Sequence, residues 1–390
     1  MSAMLSFSRP TGSSVRMAGY FVAIFLAQGT YLPFFPVFLA IQGLSEAEIG
    51  FVVATPMVVR IIATPFTSLY ADKVSDRRYA LVLYSVLSVA LFSLIGLVDR
   101  FWGILAVIAA MAVFWTALLP LSDALAVAVS RRDGANYGRM RLWGSISFIC
   151  ANIGAGAVVE AEGGSRVYLL LVLALTSVAV MSLFLPKVER RGHDDSDEGI
   201  PARKLLSRPV FVLGLAAAGL VQASHAFLYG FGSLAWKEIG FSGGEIGALW
   251  AVGVIAEIIL FWTSASVLQR VSPLGLLAIG AGAGIIRWSL LPLVTAYPAV
   301  FAVQILHGFT FGATHLGIVH FVARSLPERL ASTGQGLAAT AVSAAMATMV
   351  MASGPLYRDF AVHGYFVMAG LSVLALAIVA LAALLEKRTA

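Results

Sequence analysis

Charge is scarce in this sequence. Only 12% of its 390 residues are Asp, Glu, Lys or Arg, whereas 59% are hydrophobic and the mean hydropathy is +0.90. A soluble globular chain usually has about a quarter of its residues charged. The composition therefore excludes a soluble globule and predicts a protein whose surface lies largely in a lipid bilayer.

Cysteine is almost absent as well. The single Cys150 excludes a disulfide framework and a metal site built from paired cysteines. The sequence also lacks the nucleophile or metal-ligating cluster, or the large polar loop, that a membrane enzyme would need, and the repeated pore-lining segment of a channel. We therefore expect neither an enzyme nor a channel, and no cofactor or bound metal.

Long apolar runs, in contrast, are abundant. A helix needs about 20 residues to cross roughly 30 Å of hydrocarbon, and twelve stretches are long enough. The first stretch is too long for the apolar part of a cleaved signal peptide, so we interpret it as retained. Pro33, Pro36, Pro56 and Pro65 predict bends in the first two stretches. The twelve stretches span residues 17–41, 47–71, 79–98, 102–129, 140–160, 166–186, 209–236, 244–268, 273–293, 297–322, 332–356 and 363–386.

The basic residues are unevenly distributed along the chain. Lys and Arg are concentrated in the two termini and the even-numbered connections between stretches, and they are scarce in the odd-numbered connections. This asymmetry predicts that both termini lie in the cytoplasm and that the protein is a multi-pass protein of the inner membrane. The net charge of +6 then reflects orientation and does not indicate a nucleic-acid partner.

One short motif occurs twice. The chain reads GLSEAEIG over residues 43–50 and GFSGGEIG over 240–247, in each case after the first apolar stretch of one half. The polar residues 187–208 are of mixed charge and poor in large apolar side chains, which is typical of a linker. We therefore predict an all-α integral membrane protein with twelve transmembrane helices in two pseudo-symmetric six-helix bundles. The bundles would be residues 1–186 and 209–390, joined by a cytoplasmic linker.

Six segments resemble those of one transporter family. They are YLPFFPVFL from Tyr31, GLSEAEIG from Gly43, YGRMRLWGSISF from Tyr137, IAEIILF around Glu257, GIIRW ending at Trp288, and QILHGFTFGATHL from Gln304. This set is similar to the major facilitator transporters of the phenylpropionate permease type, which are themselves similar to lactose permease and other sugar:proton symporters. The resemblance implies the major facilitator fold, with the substrate held between the two halves near the middle of the membrane.

The loop after the second stretch resembles the gating motif of the facilitators. It reads SLYADKVSDRR and keeps Asp72, Lys73, Arg77 and Arg78. Serines occupy positions 68 and 75, where glycines are common in the family, so the sequence departs from the motif there. The resemblance implies a gating role for the four charged residues.

Charged residues also lie deep inside the apolar stretches. Arg60 and Glu257 are 197 positions apart, at equivalent points of the two halves, and each lies roughly 20 Å from the end of its helix. A charge near the bilayer centre costs at least about 2.5 kcal/mol, so we expect both to face the interior. With Arg287 and His307, found at similar depth, they form the predicted proton-coupling set. The alternative is a buried ion pair that only holds the halves together.

The tenth stretch has one polar face. At 100° per residue, Gln304, His307, Phe311 and His315 fall within one third of the helix circumference. His320 falls on the far side and is interpreted as structural. We predict that the polar face lines the substrate cavity. The alternative is that its histidines only bond neighbouring backbone or hydroxyl groups.

The predicted chemistry centres on Glu257. Removal from water favours the protonated form of a carboxyl group, whereas a nearby guanidinium favours the charged form. Movement of Arg287 or Arg60 relative to Glu257 would therefore switch whether Glu257 holds a proton, and His307 is a second candidate to carry it. The resemblance to sugar:proton symporters implies an acid in helix eight, an arginine in helix nine and a histidine in helix ten. Their main proton-bearing acid in helix ten has no clear counterpart here.

Further polar residues are candidates for binding the substrate. Asp123 and Arg141 resemble the sugar-contacting acid and arginine of lactose permease, and a salt bridge at the cytoplasmic boundary is the alternative. The first and seventh helices flank the cavity in this fold, and their polar side chains could equally form ordinary interhelical hydrogen bonds. These side chains are Gln28, Tyr31, Gln222, His225 and Tyr229.

The leading hypothesis is proton-coupled import of a small organic solute by alternating access. Arginines and histidines beside aromatic residues would fit an aromatic carboxylic acid, and the resemblance to phenylpropionate permeases indicates the same class. Two alternatives stay open, namely efflux by proton antiport and symport of a sugar or nucleoside with protons. We expect a monomer in the lipid bilayer whose partners are a small-molecule substrate and protons.

Overall fold

The computed structural model describes residues 11–74, 76–187, 205–326 and 330–389, and within these ranges it is helical without a β-strand. Each predicted apolar stretch corresponds to one long helix, which confirms the predicted all-α fold. The helices are α1 (Gly12–Ile41), α2 (Glu46–Lys73), α3 (Arg77–Ser93), α4 (Phe101–Asp133), α5 (Tyr137–Glu162), α6 (Arg166–Ser182), α7 (Pro209–Glu238), α8 (Gly243–Trp262), α9 (Pro273–Leu290), α10 (Tyr297–Ser325), α11 (Ala331–Phe360) and α12 (Tyr365–Thr389).

Two of these helices, α7 and α10, are interrupted near their middle. Each interruption contains a π-helical segment, Leu228–Gly232 in α7 and Gly308–Ala313 in α10, preceded by a short turn at 224–225 and 305–306. Such segments are rare and are found frequently at functional sites. The flanking α-helical parts are Pro209–Ala223 and Ser233–Glu238 in α7, and Tyr297–Gln304 and Thr314–Ser325 in α10.

The helices are long enough and apolar enough for a bilayer. Ten stretches of the described chain qualify by length and composition, the last of them containing both α11 and α12, and α6 is a shorter apolar helix of 17 residues. Some helices extend past the predicted apolar run, since caps rather than hydropathy set their ends. Gly134, with φ of 67°, ends α4, and the side chain of Asn136 caps α5 by accepting a hydrogen bond from the N–H of Arg139 at 3.1 Å.

The repeated motif forms the same local structure twice. Ser45 begins α2 with φ −66° and ψ 160°, and the carboxylate of Glu48 accepts a hydrogen bond from its backbone N–H at 2.8 Å. Ser242 begins α8 with the same two angles, and Glu245 accepts from its N–H at 2.8 Å. Both are capping boxes, in which the serine and the glutamate satisfy two free N–H groups at a helix start. The duplicated sequence is therefore a duplicated helix start.

Glycines bring the two halves together at the end of the molecule that carries these motifs, which we call the hairpin end. There α8 packs against α5, and α2 packs against α11. A Cβ at Gly243 would lie 2.1 Å from the carbonyl oxygen of Gly156, and a Cβ at Gly354 would lie 2.3 Å from that of Glu46. No other residue type fits at such distances, so the backbones touch directly. The hairpin end is where the halves close on each other.

Most other helix contacts lie within one half. In the first half α1 packs on α5 and α6, and α4 packs on α2 and α3; in the second half α12 packs on α7 and α9, and α11 packs on α7. This arrangement agrees with two six-helix bundles. Most of the predicted linker at 187–208 lies outside the described residues, so its boundaries stay a prediction.

Candidate functional site

A chamber of about 270 Å³ lies between the two halves. Its walls come from α1, α4 and α5 on one side and from α7, α8, α9 and α10 on the other. Aromatic side chains, including Phe25, Phe148 and Trp250, form much of the apolar wall. The polar and charged residues that line it are Gln28, Arg141, Ser145, Tyr229, Glu257, Arg287, Gln304 and His307.

Arg287 is the most deeply buried charge at the chamber, with 1% of its surface exposed. Its Nη1 donates hydrogen bonds to Oγ1 of Thr310 at 2.9 Å and to Nδ1 of His307 at 3.1 Å, and its Nη2 donates to Oε1 of Gln304. The guanidinium also lies 4.4 Å from the ring centre of Trp288. All of these partners are neutral acceptors or an aromatic face, so neighbouring dipoles rather than a carboxylate stabilise this cation.

His307 stands between Arg287 and Glu257. Its Nδ1 faces the guanidinium, and its Nε2 lies 3.9 Å from Oε2 of Glu257. The side chain of Glu257 is 22% exposed toward the chamber. Among the residues that the structure describes, no arginine or lysine forms an ion pair with Glu257. The acid and the arginine are therefore linked through an imidazole rather than paired directly.

Glycines let α8 and α10 approach closely enough for this arrangement. A Cβ at Gly308 would lie 2.8 Å from the carbonyl oxygen of Ala256, and one at Gly253 would lie 3.2 Å from the ring of His307. Both glycines flank the place where Glu257 and His307 meet. Small residues at helix crossings are typical of packing inside membranes.

Aromatic rings continue the polar face of α10. His307 stacks on Phe311 with 5.4 Å between ring centres, and Phe311 stacks on His315 with 6.1 Å. His315 is exposed and does not line the chamber. The predicted polar face is therefore present, but its last residue lies beyond the chamber, one turn past Phe311.

The first half contributes one acid and one arginine. Arg141 lies with its guanidinium 3.9 Å from the ring centre of Phe25, and its Nε is 3.8 Å from Oδ1 of Asp123. The same oxygen accepts a hydrogen bond from the hydroxyl of Tyr137 at 2.9 Å. Arg141 lines the chamber and Asp123 does not, so Asp123 contacts the arginine on the side that faces away from the chamber.

The structure brings together eight of the predicted residues at the chamber wall and leaves others outside it. The predicted residues at the wall are Gln28, Arg141, Tyr229, Glu257, Arg287, Gln304, His307 and Phe311. Tyr31 instead stacks on Phe35 at 4.6 Å, with its hydroxyl buried and unpartnered. Gln222 and His225 are buried behind the wall, where His225 bonds to Thr310.

Arg60 does not reach Glu257. It is exposed on α2, and the only charged or titratable partner within ion-pair distance of Glu257 in the described chain is His307. The repeat places Arg60 and Glu257 on equivalent helices, but equivalent helices are not neighbours. In the structure α2 packs on α4 and α11, whereas α8 packs on α5 and α10. Arg60 therefore does not face the interior beside Glu257 as expected, and the alternative, an ion pair between the halves, is not formed either.

The gating residues are only partly described. The side chains of Asp72, Lys73 and Arg77 lie outside the described part of the structure. Arg78 donates its backbone N–H to Oδ1 of Asp76 at 2.9 Å, and its Nε lies 3.5 Å from the other carboxylate oxygen. The gating role stays a prediction.

Sequence reasoning missed Thr310 and Ser145. Thr310 is fully buried and bonds both Arg287 and His225. It lies off the polar face of a regular α-helix, because residues 308–313 form a wider π turn that rotates this part of α10. The nearby glycines, Gly308 and Gly312, are the sequence signal for an irregular segment. Ser145 carried no signal beyond its place one turn after Arg141.

Comparison with known proteins agrees with this architecture. The model of the MFS_1 like family matches residues 14–368. The "Probable 3-phenylpropionic acid transporter" of Escherichia coli (strain K12) is 32% identical over 356 residues, covering 89% of this chain and 92% of that protein. The "Maltose permease" of Geobacillus stearothermophilus is 25% identical over 323 residues, covering 82% of this chain and 81% of the permease.

Solved structures show the same fold. A crystal structure of the nucleoside transporter NupG superposes with a TM-score of 0.83 and covers 95% of this chain and 99% of that one, at 16% identity. An identity this low supports the fold alone. Together with the family match over most of the chain, it shows a membrane transporter and not an enzyme. The chain belongs to the MFS_1 like family of major facilitator transporters.

Proposed function

We propose that this protein imports a small organic acid together with protons, by alternating access of the chamber to the two sides of the membrane. The chamber lies between two duplicated halves, which is where facilitators bind substrate. The observation that carries the proposal is the carboxylate of Glu257. It faces the chamber and, in the described chain, has no arginine or lysine partner within ion-pair distance.

A proton is the simplest partner for such a carboxylate. Burial disfavours an unpaired charge, and an ionisable group inside a membrane protein usually serves transport. We propose that substrate binds while Glu257 is protonated, and that release of the proton to the cytoplasm commits the cycle. Arg287 and His307 belong to the same proton-coupling set. Arg60, which lies apart from them, is not included.

The substrate that fits best is an aromatic carboxylic acid. Arg141 faces the chamber with only a long contact to Asp123, so it can receive a carboxylate. Phe25, Phe148 and Trp250 supply apolar walls for an aromatic ring. The similarity to a protein named as a probable 3-phenylpropionic acid transporter supports the same class.

The test is transport by purified protein in liposomes. An inward proton gradient should drive accumulation of 3-phenylpropionate. Glu257→Gln should abolish this accumulation and leave exchange of labelled for unlabelled substrate intact, because the variant keeps the shape and loses the titratable group. Full uphill uptake by Glu257→Gln would overturn the proposed role of Glu257.

The same liposome assay distinguishes two other modes of transport from the proposed one. Proton-antiport efflux predicts that an inward proton gradient expels substrate. Symport of a sugar or nucleoside predicts uptake of those solutes and no competition by aromatic acids, and the similarity to a maltose permease is the observation in its favour. Accumulation of the aromatic acid alone would exclude both.

The proposal extends to the orientation, location and oligomeric state of the protein. We infer that both termini lie in the cytoplasm, that the chain resides in the inner membrane and that it acts as a monomer. The charged loop with Asp72, Lys73, Arg77 and Arg78 would then gate the cytoplasmic side. Labelling of cysteines introduced in that loop, from each side of the membrane, tests the orientation directly.

A further inference from the structure

The hydroxyl of Thr310 occupies the centre of the buried polar network. Thr310 is 0% exposed, and its Oγ1 lies 2.9 Å from Nη1 of Arg287 and 3.0 Å from Nε2 of His225. These contacts join three helices, since Arg287 is on α9, His225 on α7 and Thr310 on α10. Nothing in the predicted chemistry of the site uses this hydroxyl.

The direction of each hydrogen bond around Thr310 follows from what its neighbours can do. A guanidinium only donates, so the threonine oxygen accepts from Arg287. The Nδ1 atom of His225 faces the carbonyl oxygens of Val221 and Gln222 at 3.2 and 3.1 Å, and a carbonyl only accepts. His225 therefore carries a proton on Nδ1. In a neutral His225 the Nε2 atom is then an acceptor, and it lies 3.0 Å from the hydroxyl oxygen of Thr310, closer than the other acceptor of that hydroxyl, the carbonyl oxygen of His307 at 3.4 Å.

The same reasoning applies to His307. Its Nδ1 faces Nη1 of Arg287 at 3.1 Å, so Nδ1 must be the acceptor and carry no proton. A neutral His307 then has its proton on Nε2, the atom that lies 3.9 Å from Oε2 of Glu257. The two histidines thus hold opposite neutral forms, set by two backbone carbonyls at His225 and by Arg287 at His307.

We propose that Thr310 is a positioning residue that keeps His225 neutral directly and His307 neutral through Arg287, and so makes Glu257 the sole proton carrier of the chamber. A proton added to Nε2 of His225 would turn that nitrogen into a second donor toward an oxygen already bonded to a cation. A proton added to Nδ1 of His307 would face Arg287 directly. The carboxylate of Glu257 can accept a proton without breaking any of these bonds. This inference rests on the proposed function only in assigning the transported proton.

A merely structural role is the competing explanation, and the chain offers a matched control for it. Thr314 lies one turn further along α10, is also 0% exposed, and has a hydroxyl without a hydrogen-bond partner. Thr310→Val and Thr314→Val therefore make the same chemical change in the same helix. Only the first removes bonds to Arg287 and His225. Thr310→Ser keeps the hydroxyl and is the rescue variant.

Nitrogen NMR of ¹⁵N-histidine-labelled protein in lipid nanodiscs tests the protonation directly. The signals are assigned with His225→Gln and His307→Gln. We expect Nδ1–H for His225 and Nε2–H for His307, unchanged from neutral to mildly acidic pH. Thr310→Val should alter the His225 signal and make it titrate, and Thr314→Val should not. A charged imidazolium at either position in the unmodified protein, under conditions where it transports, would overturn the proposal.

Transport assays supply the second readout. Thr310 bonds the side chains of Arg287 on α9 and His225 on α7. Around these partners lie Tyr229 and His307, which contact the ring of His225, and Glu257, which lies 3.9 Å from His307. Loss of a hydrogen bond to a charged group predicts that Thr310→Val slows proton-driven uptake roughly tenfold to a hundredfold. It should also add an acid-side inhibition from the freed His225. Thr310→Ser should restore the parent pH profile, and Thr314→Val should keep it.

The outcomes separate this inference from the proposed function. The NMR measurement needs neither substrate nor a proton gradient. If Glu257→Gln still accumulated substrate while both histidines stayed neutral, the proposed function would fail and the hydrogen-bond assignment would stand. Equal uptake and equal pH profiles for Thr310→Val and Thr314→Val, with comparable thermal unfolding, would show that Thr310 only fills space.

Discussion

The two halves share one scaffold but differ at the chamber. In the first half, α1 and α4 run without interruption for 30 and 33 residues. Their counterparts in the second half, α7 and α10, each contain a π segment at the level of the chamber. The buried network of Arg287, Thr310 and the two histidines lies entirely in this second half. The first half presents a simpler pair, Asp123 and Arg141.

This difference indicates a division of labour. Arg287 is bonded through both Nη atoms to neutral partners, and its Nε is buried without a partner. A substrate carboxylate could therefore pair with the Nη atoms only by breaking existing bonds. An arginine with only a long ionic contact is available. We therefore expect the second half to manage the proton and the first half to bind the anionic part of the substrate.

The largest expected effect comes from the arginine of the second half. Lysine cannot reproduce the planar set of donors that Arg287 presents to Thr310, His307 and Gln304. Arg287→Lys should lower proton-driven uptake roughly a hundredfold, as expected for the loss of hydrogen bonds from a buried charged group. Initial uptake rates in liposomes, with thermal unfolding as a check on folding, measure this.

Arg141→Lys is the matched change in the first half. It keeps the charge next to Phe25 and should raise the KM for substrate roughly tenfold, with a smaller effect on the proton-driven maximal rate. Equal losses for the two lysine variants, in the same kinetic constant, would contradict a division of labour between the halves.

A smaller effect is expected when Asp123 loses its charge. Asp123→Asn keeps an acceptor for the hydroxyl of Tyr137 and weakens the hold on Arg141. A partly exposed ion pair contributes up to about 1 kcal/mol, which predicts an increase in KM of roughly fivefold. An unchanged KM with lower thermal stability would instead identify the pair as a salt bridge without a part in binding.

The smallest effect concerns the closed hairpin end. Glu160 on α5 accepts a hydrogen bond from the N–H of Gly244 at the start of α8, at 3.2 Å, and so links the two halves. A carboxylate at a helix N-terminus contributes about 0.3 to 1 kcal/mol. Glu160→Ala should therefore shift the equilibrium toward opening at this end by roughly two- to fivefold.

Maleimide labelling from the hairpin side measures that shift. The probe is a cysteine at the chamber residue Ser145, in a protein where Cys150 is replaced by serine. Glu162→Ala is the control, because Glu162 pairs with Arg166 at 2.8 Å inside the first half. Equal labelling rates for the two alanine variants would show that the link between the halves does not restrain opening.

The sequence was sufficient wherever the signal was local. Apolar run length predicted twelve helices, and the motif repeated at 43–50 and 240–247 predicted two related halves. The sequence also predicted that Glu257 lies near Arg287 and His307, because a charged side chain inside a membrane needs a polar or charged partner. These inferences needed no knowledge of which helices are neighbours.

Other expectations failed because they depend on helix rotation and packing. A contact between Arg60 and Glu257 would need α2 to face α8, but in the structure α2 packs on α4 and α11. The α1 helix continues through Pro33 and Pro36, so its predicted bend stays a prediction, whereas the interruptions in α7 and α10 were not predicted. Thr310 could not be placed by a regular helical wheel, since the wheel assumes a uniform turn that a π segment breaks.

The glycine contacts at the hairpin end have a mechanical consequence. At Gly243 and Gly354 the hydrogen that replaces a side chain points at a carbonyl oxygen of the other half. Such C–H to oxygen contacts are individually weak, so separating the two backbones at these points costs little free energy. An interface of this kind is closely packed when the two halves are in contact but needs little free energy to separate. This suits a surface that must open and close once in every transport cycle.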